Sequence, residues 1–222
     1  MTERRFRAVA WLAALLPLVA AHAAYLISAS LEAVPWCVPH LEGCTSVSRA
    51  ARSTPAASLV YKALLLPYSV LLVLFWWQAG RWLREVAPGH RLTQRALLPI
   101  GVVAGIATAA YTAVLGTDGE VQQFIRRYAI NIGFGLTVLA ELLLTAALAR
   151  ESLVPQSRRR ALVALCGAMV ALGIASIPLQ FLVDSRDAAV NAIEWTVGLL
   201  MLCFFPIVGA ARRATHLPRQ LA

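Results

Sequence analysis

Hydrophobic and polar positions alternate along this chain in long blocks. Six apolar runs, Val9–Leu31, Leu59–Gly80, Ala96–Gly116, Tyr128–Ala149, Ala161–Val183 and Ala192–Ala211, are separated by short polar or basic segments. A helix rises about 1.5 Å per residue, so about 20 residues cross a hydrocarbon core of about 30 Å. A helix of a soluble core keeps a polar face over that length, and these runs do not. The pattern predicts an all-α fold: one polytopic transmembrane bundle of six helices, a single domain over residues 1–222, with one long loop at 32–58.

Composition narrows the class. With 59% hydrophobic and 14% charged residues and a mean hydropathy of +0.69, the chain has too little polar surface to cover a soluble domain of 222 residues. Charge then orients the bundle. Arg4, Arg5, Arg7, Arg81, Arg84, Arg91, Arg95, Arg150, Arg158, Arg159, Arg160, Arg212, Arg213 and Arg219 fall on one side of a six-span chain, while Arg49, Arg52, Lys62, Arg126, Arg127 and Arg186 fall on the other. By the positive-inside rule both the N and C termini are expected in the cytoplasm and loop 32–58 outside. The net charge of +9 sits in connecting segments rather than along one groove, so it reads as a topology signal and no nucleic-acid partner is expected. All but one of the 20 basic residues are Arg, a bias we attribute to a GC-rich bacterial genome. The expected location is therefore the bacterial cell inner membrane, multi-pass.

The start of the chain offers a rival pattern. An Arg-rich opening, an apolar run from Ala8 and the small-residue sequence Ala21-His22-Ala23 resemble a cleavable signal peptide, and cleavage would leave five spans. The apolar run continues through Ala24, Tyr25, Leu26 and Ile27 to membrane length, which favours an uncleaved first span.

Loop 32–58 departs from simple hydropathy. Cys37 and Cys44 stand there with six residues between them, and Pro39 and Gly43 supply turn residues. On the oxidising side of a membrane this pair is expected to form a disulfide. Closing so short a loop contributes about 2–3 kcal/mol in the chain-entropy account and would pin the loop over the bundle. A thiol-oxidase role would need a second, reactive C-x-x-C pair, which the chain lacks, and Cys166 and Cys203 lie inside spans as ordinary apolar thiols.

The same segment carries a family resemblance. A first span is followed by the Ser-containing stretch Cys44-Thr45-Ser46-Val47-Ser48-Arg49-Ala50-Ala51-Arg52, then Pro55 and a second span opening with Tyr61. This arrangement resembles the Frag/DRAM/Sfk superfamily of six-helix integral membrane proteins, with the specific residues confined to about 37–67. The resemblance implies a six-span fold and a part in lipid handling, including remodelling of lipid-anchored proteins, or in membrane stress. It transfers no catalytic residue. The two loop cysteines and the short connections depart from the eukaryotic members.

Polar residues within the spans gather toward the loop side. His22, Tyr25, Tyr61, Lys62, Tyr111, Thr112, Asn131, Gln180, Asn191 and Glu194, with Asp184 just beyond the fifth span, come from all six runs. Six of them, Lys62, Asn131, Gln180, Asp184, Asn191 and Glu194, are the candidate lining of a polar vestibule open to the external leaflet, although interfacial residues reaching for headgroups would look the same. Glu141 is different. It lies about 20 Å below Tyr128 at the standard helical rise, and a stripe of Asn131, Val138, Glu141 and Thr145 is expected to face inward. A carboxyl there serves either as a protonated tie between helices or as a proton-, ion- or substrate-handling group. Gly101 and Gly105 on span 3, and Ala164, Ala168, Ala171 and Ala175 on span 5, are small-residue faces expected to admit neighbouring helices.

Other chemistry is not signalled. The four histidines have no partner at helical spacing, and no phosphate-binding loop, nucleophile elbow or H-E-x-x-H motif occurs, so neither metal nor cofactor is expected. The expected function is to bind or organise membrane lipid, or a lipid-linked partner, at the external leaflet, with a membrane-protein partner also admissible. A small enzyme remodelling lipids at that face and a transporter using Glu141 are the competing classes, and whether the chain is an enzyme stays open.

Overall fold

The computed structural model describes residues 3–150, 154–182 and 186–216, with side chains described there except at 179–182, 186 and 213–216. The described residues are helical throughout their regular structure: α1 Glu3–Ser30, α2 Pro39–Glu42, α3 Val47–Arg52, α4 Pro55–Val86, α5 Arg91–Ala113, α6 Glu120–Ala149, α7 Gln156–Leu182 and α8 Arg186–His216. Six of these are long and apolar enough to cross a membrane, as the hydropathy pattern predicts, and the chain is a multi-pass membrane protein. Large apolar side chains such as Trp11, Val19, Val70, Ile106, Ile132 and Ile174 point outward from the bundle, as a surface in contact with lipid requires.

The six long helices form a ring. Each packs on its chain neighbour in the order α1, α4, α5, α6, α7, α8, and α8 closes back on α1. Chain reversals leave two faces: a terminal end, where α1 and α5 begin and α4 and α6 finish, and a loop end, where α2 and α3 lie.

The helices outrun the apolar runs because their ends are capped. The Thr54 side chain accepts from the Ala57 backbone N–H, and Pro55 occupies the first turn, so α4 starts four residues before the expected span at Leu59 and the loop shortens accordingly. Inside the loop, Ser46 caps α3 in the same way, and α2 stops at Gly43, whose φ of 60° is cheap only for glycine. Pro17, Pro67, Pro99, Pro178 and Pro206 all sit within continuous helices.

One small-residue face behaves as expected and the other does not. A Cβ at Gly101 would lie 2.6 Å from the Trp76 Cβ, and one at Gly105 would lie 2.8 Å from the Ser69 carbonyl oxygen, so α4 approaches α5 at the predicted face. On α7 the alanine face turns the other way. Ala164, Ala171 and Ala175 are exposed and Ala168 is half-buried, whereas Leu162, Leu165, Cys166 and Met169 are buried. The bulkier, better-packing side of α7 faces the ring and the alanines face lipid.

The terminal half of the ring is filled by aromatics. Phe6, Phe75, Trp76, Trp82, Phe204 and Phe205 are all wholly buried. Phe75 stacks on Phe6 at 5.5 Å between ring centroids, and meets Phe205 edge-on at 4.8 Å and Trp76 edge-on at 5.0 Å. The Arg212 guanidinium lies 4.6 Å over the Phe6 ring.

Candidate functional site

At the loop end, segment 32–54 is a built cap rather than a loose connection. Cys37 and Cys44 form the predicted disulfide, with their Cα atoms 6.4 Å apart. Span residues reach up to hold the cap. The Tyr25 hydroxyl accepts from the Cys37 backbone N–H at 2.7 Å and donates to the Cys37 carbonyl at 2.8 Å. Ser28 donates to the Ala50 carbonyl at 2.7 Å. From α8, Asn191 donates to the Gly43 carbonyl and the Trp195 indole N–H donates to the Thr45 carbonyl, both at 2.9 Å. Gly43 itself touches α8 so closely that a Cβ would lie 1.8 Å from the Ala188 carbonyl oxygen.

A histidine pair completes the cap. His22 Nδ1 lies 2.8 Å from the Leu18 carbonyl, which only accepts, so that nitrogen carries the hydrogen and His22 Nε2 is left as an acceptor. His40 Nε2, 3.2 Å away, donates to it. Both rings meet Trp195 edge-on, and burial, then the neighbouring His22, hold His40 below its ordinary value of 6.5.

These contacts decide what the expected vestibule residues do. Asn191 and Glu194 face the cap: the Glu194 carboxylate accepts from the backbone N–H groups of Val47 and Ser48, the free donors at the start of α3. Lys62 is half-buried on α4, beside the inward Tyr61. Asn131 is exposed on the outer side of α6 and joins none of the others. It sits about 80° around the helix from Glu141, beyond the width of the face that packs, so the predicted stripe holds only for its lower members, Glu141 and Thr145. The Gln180 side chain and Asp184 lie outside the described residues.

What the loop end does enclose is a recess of about 330 Å³ between α3, α5 and α6. Arg52, Arg126 and Arg127 line it with Ser48, Tyr111 and Gln123, and Leu115 and Ile130 give it an apolar side. Arg126 is anchored by donating to the Val114 and Thr117 carbonyls just past α5. Among the described residues none of the three guanidinium groups pairs with a carboxylate. In the sequence these arginines carry only a topology signal. The available signal was that they sit on the charge-poor side, where the positive-inside rule gives them no reason to be. Deeper in the ring, Glu141 is 0% exposed and neither carboxyl oxygen has a hydrogen-bond partner among the described residues.

The described residues hold no cluster of three or more metal-ligating side chains. No family model matches the chain, and no characterised protein or solved structure matches it.

Proposed function

We propose that this protein binds or organises an anionic membrane lipid, or the anionic part of a lipid-linked partner, at the external leaflet of a bacterial inner membrane. The observation that carries the reading is the recess with three guanidinium groups, none of which pairs with a carboxylate among the described residues. Guanidinium forks match phosphate oxygens two at a time, and Ser48 and Tyr111 add hydroxyl donors. Leu115 and Ile130 offer an acyl-chain root an apolar wall. Placing the loop end outside rests on the greater number of basic residues at the terminal end and on a disulfide at the loop end.

The test is native mass spectrometry of the protein from lipid nanodiscs containing equal phosphatidylglycerol and phosphatidylcholine. The wild type should retain phosphatidylglycerol, and the Arg52→Gln/Arg127→Gln variant should lose about 100-fold in that preference, about tenfold for each of the two charge-assisted contacts removed. Equal retention by both proteins would overturn the recess as the lipid site.

A further inference from the structure

We propose that Glu141 is a proton-binding site in the membrane interior, loaded from the loop end along a row of tyrosines and sealed from the terminal end. It is independent of the lipid reading, because the recess can bind a headgroup whatever Glu141 does.

The first observation is the orphaned carboxyl. An ionised carboxylate taken out of water without a partner is so costly that it must hold a positive species or be neutral. Among the described residues, the titratable groups within reach of Glu141 are Tyr68 on α4 and Cys166 on α7, and the latter shares a hydrogen bond with Thr145 at 3.3 Å. α5, packed on the loopward part of the same α6 face, brings Ala104 and Thr108 against Gly133. None of these is a cation. Nor do they form a cage of oxygens such as a metal ion demands. A proton needs no such cage, so it is the ligand the site fits.

The second observation is the company Glu141 keeps on one side only. Tyr68 stands within electrostatic range of both Glu141 and Tyr61. Tyr61 and Tyr111 share a hydrogen bond between their hydroxyls, and both are within range of Glu194. Tyr111 lines the recess, which opens at the loop end. A phenol both donates and accepts, so it passes a proton on by releasing its own hydrogen as it takes another, and is left unchanged; because neither Glu141 oxygen has a hydrogen-bond partner among the described residues, the last transfer, from Tyr68, takes place when side-chain rotation brings the two within hydrogen-bond distance. The net step is one proton gained by the Glu141 carboxylate, giving the neutral acid. Toward the terminal end the way is closed by the wholly buried rings of Phe75, Trp76, Phe204 and Phe205.

Infrared difference spectroscopy on the full-length protein in nanodiscs tests this. The wild type should show a protonated-carboxyl C=O band that is absent in Glu141→Gln and shifts promptly in D2O while most amide protons stay unexchanged. Tyr68→Phe should slow that shift on the order of 100-fold, the contribution of one positioned proton-transfer group, with the band itself retained. Tyr61→Phe, nearer the loop end, serves as the second relay variant if Tyr68→Phe folds poorly. A Glu141 band that resists D2O until the protein unfolds would show a structural carboxyl and overturn the proposal. So would the absence of the band, or exchange at the wild-type rate in the folded tyrosine variants.

Discussion

The two halves of this ring are made by the same six helices yet are held together in opposite ways. At the terminal end, six wholly buried aromatic rings fill the interior by shape, with the buried polar side chains of Gln78, Gln94 and Arg212 set among and around them. At the loop end the interior is tied by directed hydrogen bonds from Tyr25, Ser28, Asn191, Glu194 and Trp195 to the backbone of a disulfide-closed cap. A half packed by area is sensitive to loss of volume. The half built on directed hydrogen bonds is where both the arginine recess and the tyrosine row are found. Stability and candidate function are thus separated along the membrane normal.

The sharpest way to break that contrast is to remove a ring from the terminal half. Trp76→Ala should cost about 3–5 kcal/mol, since a large, fully buried side chain leaves a cavity that the neighbours Phe75 and Phe204 fill only in part. Thermal unfolding in mild detergent would show it as a large fall in Tm. A change within experimental error would mean that the aromatic half is not what holds the ring.

Next in size is the disulfide. Cys37→Ser should lose about 2–3 kcal/mol by the loop-closure account, and the loss should be confined to the cap: faster amide exchange in residues 32–54, with the terminal half protected as before. In the wild type neither Cys37 nor Cys44 should react with an alkylating reagent until reduced. Rapid labelling without reductant, or exchange spreading evenly through both halves, would erase the proposed division.

The two halves also differed in how readily they could be read from the chain. The spans were legible because length and uniform apolarity leave lipid as the only suitable solvent, and the Cys37–Cys44 pairing followed from its spacing, the turn residues between the two cysteines and the oxidising side on which the charge split puts the loop. The Gly101 and Gly105 face was legible because a missing Cβ has one obvious use. The inward side of α7 was not, because a helix apolar on every side carries no signal of which side packs, and its alanines proved to face lipid. Glu141 was visible by its depth, whereas Asn131 was misplaced by extending its face too far around the helix. The recess was out of reach for a different reason. Arg52 and Arg127 come from separate helices, and only the folding of α3 against the ends of α5 and α6 makes them neighbours.

The smallest expected effect sharpens the comparison most finely, because it should be felt only at the loop end. His40 donates to His22 while its Nδ1 is buried with no hydrogen-bond partner among the described residues, so a proton added there would place a charged N–H where nothing accepts it. Burial first, and His22 second, lower the pKa of His40 in the docked cap below 6.5. The undocked cap keeps the ordinary value and therefore binds more protons as the pH falls, so acid favours undocking. Docking should be fully stable above pH 6.5, weaken as the pH drops from there through the lowered folded value, and level off below it. Trp195, which meets both histidine rings edge-on, is the natural reporter. Its fluorescence should change over that window in the wild type, stay flat in His40→Asn, and move without any change in Tm attributable to the aromatic half. An acid-induced tightening of the cap would reverse the sign of this argument and require that the pair bind a proton more strongly when docked than when free.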